Sequence, residues 1–233
     1  MNPRLERIRY LLQEDTMQIL QQATVAVIGV GGVGGVACES LIRSGVGNLI
    51  IMDHDTVHIS NSNRQIIAMD STIGSVKVEV LKSRLQDIAP EANITVYPKK
   101  FQEETKEELF QQKIDFLIDA IDSIPDKFLL IKEAISRNIP IVSSMGAAKK
   151  LSPLGIEIST LDKTTYDPIA KILRKKLRDE NITTKVPVVY SKESPQAIPN
   201  LGSYMNVTAS FGLLCAHVAL TELCKKGGKT KCY

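Results

Sequence analysis

Five glycines, Gly29, Gly31, Gly32, Gly34 and Gly35, fall between an apolar run (Val25 to Ile28) and a helical pattern (Val33, Val36, Ala37, Leu41, Ile42). A second apolar run, Leu49 to Met52, then ends in Asp53. The order is strand, glycine turn, helix, strand, acid. Few folds accept it, because it requires a parallel β-α-β crossover with a backbone turn that leaves no room for side chains. Gly29 and Gly31 let the chain turn and approach a phosphate, and Gly34 lets the helix pack on the strand. The helix N-terminus presents free N–H groups to an anion. Asp53 stands about 20 residues beyond the turn, where an acid grips ribose hydroxyls. These residues predict a nucleotide site.

Downstream, strand and helix alternate: a helix over 72–89, strand 94–97, helix 103–111, strand 116–119, helix 124–137 and strand 140–144. The rhythm predicts an α/β fold, a Rossmann-like doubly wound, mostly parallel sheet. From Lys149 it changes. Residues 155–160 alternate like an antiparallel strand, 167–179 read as a helix capped by Asp167 with Pro168 in its first turn, and 186–190 as another strand. A breaker-rich loop, 191–203, leads to a closing helix over 206–223. We therefore expect a nucleotide-binding domain over 1–148, and a 149–233 part that completes the same domain with an antiparallel extension and supplies the substrate side.

Several side chains have the chemistry for a nucleotide. Asn61, Arg64 and Gln65 follow the carboxyl end of a strand, the edge where open α/β sheets bind ligands. Arg64 offers a planar fork for phosphate oxygens. Lys77 sits at the unfavourable end of its helix dipole, as a cation that serves an anion does. Asp119 and Asp122 end a strand; either suits Mg²⁺, and either suits the cap of the next helix. Arg4, Arg7 and Arg9 are phosphate candidates or plain surface cations. His54 and His58 read as loop histidines.

The formal charge of +3 permits nucleic-acid binding without requiring it. A basic helix (Lys171, Arg174, Lys175, Lys176, Arg178) and a lysine tail (Lys225, Lys226, Lys229, Lys231) either meet nucleic-acid phosphates or face solvent. The four cysteines, Cys38, Cys215, Cys224 and Cys232, form no C-x-x-C pair, so neither a zinc site nor a disulfide scaffold is expected. That points to a reducing, cytoplasmic setting. No membrane span is expected: the apolar run 205–220 is too short and reads as a buried helix.

G-V-G-G-V-G (29–34), D-x-D-x-V-x-x-S-N-x-x-R-Q (53–65), Lys77 and D-A-I-D-S (119–123) together resemble the ubiquitin-activating-enzyme-like (ThiF/MoeB/HesA) superfamily. N-x-N-R-Q (61–65, with Asn63), K-T-x-x-D-P-x-A (163–170) and T-A-S-F-G (208–212) narrow the resemblance to the tRNA threonylcarbamoyladenosine dehydratases. The resemblance implies ATP and Mg²⁺ as cofactors, a tRNA substrate, a homodimer and a possible sulfur-relay partner. It implies a nucleotide site made of Gly29, Gly31, Gly32, Gly34, Asp53, Asp55, Asn61, Asn63, Arg64, Gln65 and Lys77. Arg64, Lys77 and Asp122 would be catalytic, with Asp122 on the metal. Arg7 would reach the ATP of a second subunit. The chain departs from the family pattern R-x-x-R-T, L-L-x-G, having Arg4-x-x-Arg7-Ile8 and then Leu11-Leu12-Gln13. Thioester-forming relatives need a thiol after the nucleotide fold, and no cysteine lies between Cys38 and Cys215. The alternatives are an adenylyltransferase for the C-terminal carboxylate of a ubiquitin-like or sulfur-carrier protein, an NAD-dependent oxidoreductase, and a non-catalytic nucleotide scaffold. The Arg64, Lys77 and Asp122 set argues against NAD, because hydride transfer needs no triphosphate clamp.

Overall fold

The computed structural model describes residues 2–225. The tail residues Lys226, Gly227, Gly228, Lys229, Lys231 and Cys232 lie outside the described residues.

Seven strands form one sheet: β1 (Thr24–Ile28), β2 (Asn48–Met52), β3 (Asn93–Tyr97), β4 (Phe116–Asp119), β5 (Ile141–Ser144), β6 (Ile156–Thr160) and β7 (Pro187–Ser191). Their order is β3-β2-β1-β4-β5-β7-β6. All neighbours pair in parallel except β6 and β7, which are antiparallel, as the alternation of 155–160 predicts. Period-two alternation sorts the strand side chains to two cores. Val25 and Val27 of β1 face one, and Ala26 and Ile28 face the other. The first core is closed by α2 (Gly34–Arg43), α3 (Lys77–Ile88) and α7 (Met205–Lys225). The second is closed by α4 (Lys106–Phe110), α5 (Ile124–Ser136) and α6 (Pro168–Asp179). Helices on both faces of a mostly parallel sheet are the doubly wound architecture.

β1 and β4 are neighbours in space although β2 and β3 intervene in sequence. The sheet reverses direction of build there, and the two carboxyl ends open a crevice. Gly29 ends β1 with φ 85, and a Cβ on it would lie 2.7 Å from the Ala120 carbonyl oxygen after β4. At Gly34 a Cβ would lie 1.8 Å from the Gly29 carbonyl oxygen. So the turn, α2 and the end of β4 meet at backbone contact.

α3 begins at Lys77, five residues later than the hydrophobic period suggested. Thr72 is the reason. Its hydroxyl accepts from Met69 N and donates to the Ile67 carbonyl, closing a separate 3-10 turn over Asp70–Thr72. Gly74 then reverses the chain at φ 86, and Val76 bridges Thr56. α4 is likewise shorter than expected.

α7 is long and apolar enough to cross a membrane by length and composition, longer than the 205–220 run suggested. It packs instead against the sheet and α2, burying Val207, Phe211, Cys215, Ala216, Ala219 and Leu223.

The N-terminal α1 (Glu6–Gln22) is two helical pieces joined at Gln13, with φ 63 and ψ 164. That region is essentially a glycine conformation and costs roughly 1–3 kcal/mol for other residues. Gln13 lies in the segment that departs from the family pattern. Gln13→Gly is expected to stabilise the protein by about 1 kcal/mol, because glycine's larger entropy loss offsets part of the relieved strain. Thermal unfolding of the two proteins side by side measures it; a lower midpoint for the glycine variant would contradict the strain.

Candidate functional site

A cleft of about 470 Å³ lies at the carboxyl ends of β1, β2, β4 and β5. Its walls include Gly29, Gly31, Gly32, Asp53, Asp55, Asn61, Arg64, Gln65, Lys77 and Asp122. The structure thus brings together residues that lie far apart in the chain, from the glycine turn to Asp122.

Asp53 holds the glycine turn. One of its carboxylate oxygens accepts from Val30 N at 2.8 Å and the other from Asp55 N at 2.9 Å. Each oxygen keeps a second lone pair for a ligand. Lys77, the first residue of α3, is 5% exposed and places its ammonium 2.7 Å from the Asp55 carboxylate. Burial raises the Asp55 pKa, but the hydrogen bond and charge of Lys77 outweigh it and hold the carboxyl below its ordinary value. Two of the three ammonium protons stay available. His54 stands 3.4 Å from the same carboxylate.

The loop after β2 is built by local hydrogen bonds. His58 caps the 3-10 turn Ile59–Asn61 through Ser60 N, and the Asn61 side chain accepts from His58 N at 3.0 Å. Asn61 is therefore a structural cap as well as a cleft residue. Arg64 donates through Nη1 to the Ser60 carbonyl and to Asn63 Oδ1, each at 2.9 Å, which leaves Nη2 and Nε unengaged by these bonds. Gln65 is buried, and its Oε1 has no hydrogen-bond partner. A Cβ on Gly31 would meet only Gln65 Nε2, at 3.6 Å. A buried acceptor without a partner beside an uncrowded backbone is what a polar ligand satisfies.

Asn63 does not line the cleft. It joins the cleft to the C-terminal half, donating to the Ser203 carbonyl at 2.6 Å while accepting from Arg64. The 191–203 segment is tied down further, since Lys149 N donates to the Gly202 carbonyl at 2.7 Å and Lys149 Nζ to the Ile198 carbonyl at 2.6 Å. Leu201, Ser203 and Thr208 complete that wall. Gly34 lies beneath the turn rather than on the cleft surface. Arg7 is exposed on α1 and lies outside the cleft of its own chain.

The two acids after β4 have separate fates. Asp119 is fully buried, 2.9 Å from the ammonium of Lys127, with the Ser143 hydroxyl donating to the same carboxylate oxygen. Its other oxygen accepts from Ile121 N at 3.1 Å. Asp122 is exposed in the cleft, with no hydrogen bond or ion pair among the described residues. Neither caps α5, whose N-cap is Ser123. Sequence reasoning missed Lys127 and Ser143; the apolar spacing of α5 gave the only signal, by placing Lys127 on its inward face. Among the described residues no cysteine lines the cleft. Cys38, Cys215 and Cys224 are buried, and burial pushes the Cys215 thiol up to about 12 and the Cys38 thiol up as well.

A doubly wound sheet with a glycine turn at its switch point, an acid at the end of β2 and cations across the crevice defines a nucleotide-binding α/β protein. The sequence profile of the ThiF family matches residues 5–231, and the chain belongs to the ThiF family. It is 45% identical to the tRNA threonylcarbamoyladenosine dehydratase of Bacillus subtilis over 79% of this chain and 73% of that protein. It is 30% identical to the molybdopterin-synthase adenylyltransferase of Haemophilus influenzae over 69% of this chain and 65% of that protein. Among solved structures, Escherichia coli tRNA N6-threonylcarbamoyladenosine dehydratase in complex with ATP superposes with a TM-score of 0.93 at 33% identity, covering 98% of this chain and 96% of that one.

Proposed function

We propose that this protein is an ATP-dependent dehydratase that adenylates the threonylcarbamoyl carboxylate of a modified tRNA adenosine and cyclises it, releasing AMP and pyrophosphate. One observation carries the reading: a single cleft joins the glycine turn, Arg64, Lys77 and the unpartnered Asp122, with no thiol on its wall among the described residues. The dehydratase names of its relatives supply the substrate class.

Water leaves a carboxylate poorly, so the carboxylate is activated first. Its oxygen attacks the ATP α-phosphorus and pyrophosphate departs. The free nitrogens of Arg64 and the remaining ammonium protons of Lys77 neutralise the charge that develops, as pre-placed cations do at low reorganisation cost. Asp53 receives the ribose hydroxyls, and the unpartnered Gln65 Oε1 takes a donor from the ligand. Asp122 fits a hard cation whose remaining ligands are phosphate and water oxygens, and Mg²⁺ held there would add charge neutralisation at the phosphates. A neighbouring atom of the same threonylcarbamoyl group then displaces AMP. That step is intramolecular, gains from high effective concentration and needs no enzyme nucleophile. The buried cysteines agree with this.

The reading extends to a cytoplasmic homodimer in which Arg7, exposed and absent from the wall of its own cleft, would reach the ATP of a second copy. A sulfur-relay partner is not required by the chemistry. The second reading, adenylation of a carrier-protein C-terminus, rests on the molybdopterin-synthase relative. The test is incubation with ATP, Mg²⁺ and tRNA bearing threonylcarbamoyladenosine, with pyrophosphate and the tRNA nucleosides followed. tRNA-dependent pyrophosphate release and a modified nucleoside lighter by one water are expected. Pyrophosphate release driven by a carrier protein and not by tRNA would replace the first reading with the second.

A further inference from the structure

α6 carries five cations, and they divide into two groups. Arg174 turns inward, donating to the Leu161 carbonyl at 3.2 Å and the Thr164 carbonyl at 3.1 Å. Lys176 lies over the Phe128 ring, 5.2 Å from its centre. These two serve the fold. Lys171, Lys175 and Arg178 are exposed, and none of their side chains makes a hydrogen bond or ion pair among the described residues. At spacings of four and three they share one helix face. Like charges so spaced repel and destabilise a helix slightly. Arg178 at least complements the helix dipole; Lys171, near the N-terminus, opposes it. The fold gains nothing from this stripe.

The amino end of α6 abuts the cleft. Asp167 caps it through Ala170 N and also accepts from Gly146 N, at 3.0 Å, and both Gly146 and Ile169 line the cleft. Immediately before the cap stands Tyr166, 68% exposed, with no hydrogen bond or ring contact among the described residues. Its φ of 55 lies in the left-handed region, which a bulky residue rarely adopts. An exposed aromatic held in an unfavourable backbone conformation beside a cleft has no role in packing.

We propose that Tyr166 and the Lys171–Lys175–Arg178 stripe form the RNA-docking surface of this protein, with the ring stacking on a base next to the reacting adenosine and the stripe engaging the phosphates that follow. This rests on the tRNA reading above. The stripe spans about 10 Å along the helix, room for roughly three successive phosphates of one strand. Aromatic stacking with neighbouring cations is how single-stranded RNA is held. A membrane surface suits the helix less well. A membrane-bound helix offers its apolar face to lipid, and Ala170, Leu173 and Leu177 of α6 are buried in the core.

The test measures the affinity of fluorescein-labelled tRNA between roughly 50 and 200 mM salt. It compares the wild-type protein, the Lys171→Gln/Lys175→Gln/Arg178→Gln triple variant and Tyr166→Leu. The triple variant is expected to bind at least 10-fold more weakly at the low salt end. Its slope of log affinity against log salt should be smaller by about 2, three phosphates at ~0.7 each. Tyr166→Leu is expected to lose about 5- to 100-fold in affinity with the slope unchanged. Both variants should keep the wild-type thermal shift with ATP, which shows an intact fold and nucleotide site. Wild-type affinity and slope in the triple variant would overturn the surface, as would loss of binding to phosphatidylserine vesicles without loss of tRNA binding. If the wild-type protein makes AMP with tRNA and the variants match it, this surface alone falls. If the wild-type protein neither binds tRNA nor makes AMP with it, the functional reading falls too.

Discussion

Asp122→Ala is expected to cut tRNA-dependent pyrophosphate release by at least 100-fold and to leave the thermal unfolding midpoint unchanged within error. The two halves have different causes. Asp122 is exposed and bonds to nothing among the described residues, so the fold loses no interaction with it. Surface changes of that kind stay within about 0.5 kcal/mol. Yet the carboxylate faces the same cleft as Arg64 and Lys77. If it organises charge at the phosphates, its removal should cost what removal of one placed electrostatic group costs elsewhere, on the order of 10²–10³ in rate. Asp122→Asn should fare little better, since an amide is a poor ligand for Mg²⁺ beside phosphates. Pyrophosphate release within a few-fold of wild type would remove Asp122 from the chemistry. Loss of activity together with a lowered midpoint would show a structural role instead.

The fold was legible because it is written in local patterns. The glycine turn, the period-two strands and the apolar faces of α3 and α5 each announce themselves within a dozen residues. The antiparallel β6 was visible for the same reason. Boundaries failed where a side chain closed an extra turn, as Thr72 does before α3. In the cleft, motif residues could be named from sequence, but their partners could not. Asn63 looks like a ligand-binding residue in N-x-N-R-Q; its bond to Ser203, 140 positions away, makes it a tether between the two walls. Asn61 is partly a cap. Asp119 and Asp122 look equivalent in D-A-I-D-S, and only packing separates a buried partner of Lys127 from an open cleft acid. Nothing in a one-dimensional pattern says which of two acids three apart will be desolvated.

That buried partner yields the second large effect. Lys127→Met is expected to destabilise the protein by roughly 3–5 kcal/mol, the usual cost of breaking a buried ion pair from one side. Methionine keeps the aliphatic stem and removes the ammonium with its charge and hydrogen bonds, so packing loss contributes little. What remains is the Asp119 carboxylate, fully buried, with only the Ser143 hydroxyl and Ile121 N as donors. The ammonium also donates to the Ser144 carbonyl at 2.9 Å, at the end of β5, where Ser144, Met145 and Gly146 form part of the cleft. The same substitution should therefore weaken ATP binding, which the ATP-induced thermal shift reads separately from the midpoint itself. Adding Asp119→Asn to Lys127→Met should recover part of the loss, because a neutral amide is cheaper to bury than an unpaired carboxylate and still accepts from Ile121 N. Equal midpoints for Lys127→Met and wild type would mean that the pair is not desolvated as its burial indicates. A double variant less stable than Lys127→Met would mean that the carboxylate is held chiefly by Ser143 and the backbone, with Lys127 serving β5 alone.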